Sequence, residues 1–98
     1  MTDQIRAWQG DAPGERVLRW HAPGVGPAMA ELSWALDRLP PGYRWQSMTI
    51  ARARLGPSPG RKCAITLVLT RTDSRQPELS PQDAADWLGR CLDRGLNE

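Results

Sequence analysis

The side chains with the clearest potential for chemistry in this sequence are cations, and they are concentrated between Arg44 and Arg71. This stretch holds five arginines, one lysine and no acidic residue, although the chain of 98 residues has a net charge of only +2. Guanidinium groups bind carboxylates and phosphates through charge-assisted hydrogen bonds. The stretch therefore predicts a surface that binds an anionic group of another molecule.

Two strand-like runs in this stretch flank the turn-forming residues 56–60, whose sequence is GPSPG. Such a pattern is typical of a long β-hairpin. Tryptophan, tyrosine and arginine are enriched at the energetic centres of interfaces, so aromatic residues near the cations are candidates too. The candidate binding residues are the cations and aromatic residues of the hairpin, with one tryptophan from the preceding helix: Arg44, Trp45, Arg52, Arg54, Arg61, Lys62, Tyr43 and Trp34.

Catalytic chemistry has few candidate residues in this sequence. His21 is the only histidine, and a lone strand histidine is more often a surface residue than a base. Asp83 and Asp86 are neighbours on a predicted helix, but acids in the first turns of a helix complement its dipole. No Ser–His–Asp order, phosphate-binding motif or metal-ligand cluster is present. The sequence predicts a non-enzymatic protein without a metal or cofactor.

The two cysteines, Cys63 and Cys91, do not have the spacing of metal ligands. Both occupy positions that are predicted to face the core, where free thiols are common. In an oxidising compartment, a disulfide from the hairpin to the last helix is the alternative, provided that the geometry allows it.

Size and composition indicate one small globular domain spanning residues 1–98. The chain is 40% hydrophobic, and it has five tryptophans and no phenylalanine. A core of this size does not easily bury five tryptophans, and one or two of them are therefore expected to be partly exposed. The chain shows no signal-peptide pattern and no apolar run of about 18 residues. It is expected to be a soluble cytoplasmic protein, or a soluble periplasmic fragment of an anchored one.

The pattern along the chain predicts the order β, α, β, β, α. Residues 15–22 form a strand with Leu18 and Trp20 on its inner face. Residues 28–39 form a helix with Met29 on its apolar face. The hairpin follows, with either a bulge or a change of exposure near residues 47–51. Ser80 caps the last helix, which is expected to end near residue 94 with Gly95 as its C-cap.

This order favours an α+β fold in which both helices cover one face of an antiparallel sheet, a ferredoxin-like or related two-layer sandwich. The final strand of a ferredoxin-like sheet has no obvious counterpart in the sequence. Residues 1–13 are either an edge strand that fills this position or a flexible arm. Dimerisation through an open sheet edge is another way to complete the sheet.

Four short motifs give the chain a family resemblance: Trp34-Ala-Leu36, Tyr43-Arg-Trp45, Pro59-Gly60 and Leu67-Val-Leu69. With these motifs, about half of the chain resembles the ferredoxin-like periplasmic domains of inner-membrane platform proteins, the M-type and O-type components of type II secretion and type IV pilus systems. The resemblance implies a non-catalytic assembly domain that binds partner proteins. It assigns no active-site residue.

Two classes of function are consistent with the hairpin. The first is a protein-binding or assembly module, such as a secretion-platform domain or a small inhibitor of phage type, which predicts salt-insensitive self-association or a stable protein partner. The alternative is a nucleic-acid-binding domain, in which Arg52, Arg54, Arg61 and Lys62 contact phosphates and Trp45 or Tyr43 stacks on a base. Edge charges also discourage aggregation, so the arginines need not bind anything.

Overall fold

A computed structural model of the chain describes residues 5–54 and 61–97, and it describes the side chains of these residues except at 52–54, 61–62 and 95–97. Four strands and two helices alternate in the order ββαββα. In chain order, the elements are β1 (Arg6–Gln9), β2 (Glu15–Ala22), α1 (Val25–Leu36), β3 (Tyr43–Arg54), β4 (Arg61–Arg71) and α2 (Pro81–Asn97).

The four strands form one antiparallel sheet in the order β1-β2-β4-β3. Both helices pack on the same face of this sheet, so the predicted α+β two-layer sandwich is confirmed. Strand β1 pairs with β2 at one edge of the sheet. Of the two predicted alternatives for the N-terminal segment, an edge strand or a flexible arm, residues Arg6–Gln9 therefore form the edge strand.

The core lies between the helices and the inner face of the two central strands. Leu18 and Trp20 of β2 are buried there, opposite Leu67 and Ile65 of β4. Alternate residues of a strand share a face, so the apolar alternation that predicted this inner face is confirmed. The remaining large core side chains include Leu69, Leu88 and Leu92.

Helix α1 differs from its predicted bounds and orientation. It begins at Val25 and ends at Leu36, about one turn earlier than expected at each end. Its buried stripe consists of Ala28, Leu32 and Ala35, which lie three or four residues apart and so share one face of the helix. The prediction that Met29 faces the core is wrong, since 61% of this side chain is exposed.

Helix α2 begins as predicted and ends later. The Ser80 hydroxyl accepts a hydrogen bond from the Asp83 amide at 3.1 Å, as an N-cap residue does. Helix α2 continues to Asn97, so the prediction that Gly95 caps it is wrong. The buried residues Ala84, Leu88, Cys91 and Leu92 lie on one face, as the spacing indicated.

Candidate functional site

Strand β3 is the long edge of the sheet and belongs to the predicted hairpin. It spans 12 residues and pairs with β4 along one side, while its other side pairs with no strand among the described residues. A register shift between Trp45 and Ser47 marks a β-bulge, close to the predicted position. An edge strand of this length presents a row of unpaired backbone groups to which another extended chain can add.

An apolar groove runs along this edge, between β3 and helix α1. It has a volume of about 520 Å³. Its walls come from one face of each element, and its lining residues are Met29, Leu32, Ser33, Leu36, Asp37, Met48 and Ile50. Met48 and Ile50 are only partly buried against the core. The site therefore combines unpaired backbone with exposed apolar side chains.

The structure separates the predicted binding residues into three groups. Arg44 and Trp45 are exposed on β3, with 48% of Trp45 accessible to solvent. Trp34 is half-buried and packs against the core, and Tyr43 is buried within it. The backbones of the other four residues lie in the β3–β4 ladder, and their side chains lie outside the description: Arg52, Arg54, Arg61 and Lys62.

Tyr43 is a structural residue, since its side chain is only 6% exposed. Its hydroxyl accepts a hydrogen bond from the Leu79 amide at 3.0 Å. This contact ties the start of β3 to the segment that leads into α2. The ring is therefore not available to stack on a nucleic-acid base.

Arg16 is a buried cation that the sequence analysis did not single out. Its Nε donates to the Leu79 carbonyl at 2.6 Å, and its Nη2 donates to a Glu78 carboxylate oxygen at 2.8 Å. Arg71 donates to the carbonyls of Ser74 and Gln76 in the same segment. The polar segment before α2 is thus held by two arginines and a tyrosine. The alternation of β2 places Arg16 on the same inner face as Leu18 and Trp20, so the sequence pattern could have predicted its burial.

Glu31 of α1 is partly buried beside the core. Its carboxylate accepts a hydrogen bond from the Trp20 indole nitrogen at 3.0 Å. Burial raises the pKa of Glu31 above its usual value of 4.5, and the Trp20 hydrogen bond opposes this shift. A raised pKa means that ionising Glu31 costs the folded state more than the unfolded state.

We expect Glu31→Gln to increase the free energy of unfolding near neutral pH and to change it less in acid. Below the unfolded pKa, about 4.3 for glutamate, both states of the wild type are protonated. As pH rises, the unfolded carboxyl loses its proton first, so wild-type stability falls until the folded carboxyl has ionised. Glutamine avoids this loss and still accepts the Trp20 hydrogen bond. Urea unfolding at about pH 3 and pH 7 measures the difference, and an equal effect at both pH values would contradict it.

Both cysteines are buried and free. Burial raises the pKa of the Cys91 thiol, and Arg38, Arg90 and Arg94 nearby oppose the shift. These arginines and Asp93 border a cavity of about 420 Å³ over Trp87 and Cys91. Burial and a raised pKa both disfavour the thiolate, which is the nucleophilic form of cysteine.

The described residues also bear on the predictions about metal and membrane binding. They contain no group of three or more histidine, cysteine, aspartate or glutamate side chains that could hold a metal ion. Among the helices in the described part of the chain, none has the length and apolar character to span a membrane. Comparisons of the chain with protein-family models, curated proteins and solved structures found no match.

Proposed function

We propose that this protein is a non-enzymatic binding module, in which β3 accepts an extended, acidic and apolar segment of a partner protein. The observation that carries the proposal is the 12-residue edge strand with an apolar groove alongside it. Strand addition gives affinity through main-chain hydrogen bonds, and a neighbouring pocket gives specificity by accepting alternate side chains. The same type of function is implied by the resemblance to secretion-platform domains.

The groove lies where alternate side chains of an added strand can reach it. Met48 and Ile50 lie two residues apart on β3 and point toward the helix layer. Every second side chain of a strand added beside them points the same way. Apolar side chains at those positions can fill the space between β3 and the exposed Met29.

The positive charge of the hairpin supports a partner segment with acidic side chains. From Arg44 to Arg71 the chain has six cations and no acidic residue. A second copy of β3 would place arginines along an edge that already carries arginines, and like charges on neighbouring strands are destabilising. An acidic segment meets complementary charge, which accelerates association and aligns the strands.

We also propose that the sandwich is ferredoxin-like, with β1 in the edge position that the last strand of such a fold occupies. The strand order β1-β2-β4-β3 and the packing of both helices on one face of the sheet support this assignment. With β1 on one edge, β3 is the edge that remains for a partner.

Met29→Asp tests the groove, because Met29 is exposed and its replacement should leave folding intact. The probe is a fluorescent peptide of about eight residues that alternates isoleucine with glutamate. We expect binding by the wild type, and a loss of about 30-fold in Met29→Asp, as at an interface hot spot. Fluorescence anisotropy measures the affinities.

Val25→Asp is the matched control for this substitution. Val25 is also an exposed apolar residue of α1, but it lies outside the groove, so its variant should bind the peptide as the wild type does. A probe with lysine in place of glutamate should not bind. An equal loss of peptide affinity in Met29→Asp and Val25→Asp, or equal binding of the two probes, would contradict the proposal. A wild-type dimer that Met29→Asp converts to a monomer would assign the groove to a second copy instead.

A further inference from the structure

The face of the sheet opposite the helices carries a second surface, made of residues that are far apart in the sequence. The backbone register aligns Trp8 of β1 with Val17 of β2, and Val17 with Val68 of β4. Val17 is 9% exposed although neither described helix covers this face, whereas 42% of Trp8 is accessible. The three side chains thus form a short apolar row that ends in an exposed indole.

The adjacent row contains a pair of like charges. Arg6 lies directly opposite Arg19, and both side chains are exposed. Opposed like charges destabilise neighbouring strands, and the described residues supply no acidic partner for either guanidinium. Two free guanidinium groups side by side provide a site for one bridging anion such as a phosphate. Antiparallel strands rise about 3.4 Å per residue, so this pair lies about 7 Å from Trp8 along β1.

A third row, on the other side of the apolar row, contains one arginine and one glutamate. Arg44 of β3 and Glu15 of β2 both pair with Thr70 of β4. Glu15 is the one acidic residue on this face of the described strands, and its side chain lies against Gly10 at the end of the sheet. An anionic chain crossing the face therefore meets arginines on both sides of the apolar row.

We propose that this open face binds single-stranded nucleic acid, with Trp8 stacking on a base while Arg6 and Arg19 hold a neighbouring phosphate. Aromatic side chains that stack on bases, flanked by cations that contact the backbone, are the common means of binding single strands. A second sheet packed here would bury three arginines without acidic partners, which is costly. The proposal does not depend on the β3 groove, which lies on the helix side of the sheet.

This surface differs from the hairpin residues that the sequence predicted to bind nucleic acid. That hypothesis assigned base stacking to Trp45 or Tyr43. Tyr43 is buried, and Trp45 lies at the β3 bulge. Variants of Trp8 and Trp45 therefore distinguish the two sites, since both side chains are about half exposed.

The test measures fluorescence anisotropy of a labelled single-stranded oligonucleotide of about ten nucleotides at about 50 mM salt. Trp8→Leu keeps an apolar side chain over Val17 but removes the aromatic plane, so we expect affinity to fall about tenfold. Trp45→Leu is the matched control and should bind as the wild type does. Circular dichroism of each variant verifies that it is folded. Trp8→Phe, which restores an aromatic ring, should recover most of the binding.

The charge arm of the test replaces Arg6 and Arg19 together by alanine. Loss of this phosphate contact should lower the slope of log affinity against log salt by about 0.7, the value for one phosphate of a single strand. Arg90→Ala with Arg94→Ala removes the same charge from the exposed side of α2 and should leave the slope unchanged.

Three results would overturn the proposal. The first is the absence of binding to the oligonucleotide at low salt. The second is binding that Trp45→Leu weakens and Trp8→Leu does not. The third is equal or tighter binding to a duplex of the same length, or to vesicles of anionic lipid, since charge alone would then account for the affinity.

Discussion

Trp20→Ala should reduce the free energy of unfolding by about 3–5 kcal/mol, the largest effect expected of any single substitution described for this protein. Trp20 is 2% exposed and lies on β2 beneath α1. Truncation removes the largest fully buried side chain of the core. Domains of this size have total stabilities of about 5–15 kcal/mol, so the variant would lose much of its folded population.

Trp20→Phe separates the packing of the indole from its hydrogen bond. Phenylalanine keeps an aromatic ring in the core but cannot donate to Glu31, which lies 3.0 Å from the indole nitrogen. We expect a smaller loss of about 1–3 kcal/mol. Without the Trp20 donor, the pKa of Glu31 should rise further, so the loss should be larger at neutral pH than in acid.

Trp45→Ala is the control for these two substitutions. Trp45 is also a strand tryptophan, but about half of its side chain is accessible and it lies at the β3 bulge. Its replacement should cost about 1 kcal/mol or less. Urea unfolding followed by circular dichroism measures all three variants without relying on tryptophan fluorescence. A cost for Trp45→Ala equal to that for Trp20→Ala would contradict the assignment of Trp20 to the core.

Arg16→Ala should reduce the free energy of unfolding by about 2–3 kcal/mol, because it leaves a carbonyl group without its donor. Arg16 is 3% exposed. It donates to the Leu79 carbonyl at 2.6 Å and to the Glu15 carbonyl at 2.9 Å. The variant should also loosen the segment before α2, which faster amide hydrogen exchange in that segment would report.

The salt bridge of Arg16 should contribute less than its bonds to carbonyl groups. The Glu78 side chain is 53% exposed, and an exposed partner keeps its hydration when the pair is broken. Glu78→Gln is therefore expected to cost less than about 1 kcal/mol. Arg19→Ala, three residues along the same strand on the exposed face, should cost about 0.5 kcal/mol or less. A larger cost for Glu78→Gln than for Arg16→Ala would show that the ion pair is the dominant contact.

The two proposed binding surfaces lie on opposite sides of one sheet. The β3 groove needs α1 as its second wall, whereas the Trp8 surface exists because no described element covers that side. A protein segment and a nucleic acid could therefore bind at the same time. Among the hairpin arginines, Arg44 lies on the open face of the sheet, since it pairs with Thr70.

The sequence by itself determined the five elements from β2 to α2 and the inner face of the two central strands. Alternation in β2 and β4 identified Leu18, Trp20, Ile65 and Leu67 as core, and Ser80 identified the start of α2. These features depend on local periodicity and capping, which neighbouring residues specify. The absence of a catalytic motif and the positive charge of the hairpin are likewise properties of the sequence.

Only the tertiary structure decided which residues meet. The burial of Tyr43, the exposure of Met29 and the role of Arg16 depend on how the helices lie on the sheet and on the course of the segment before α2. The pairing of Arg6 with Arg19, and of Trp8 with Val17, follows from the place of β1 in the sheet. Strand register pairs residues that are far apart in the sequence, and the pattern of neighbouring residues does not specify which ones pair.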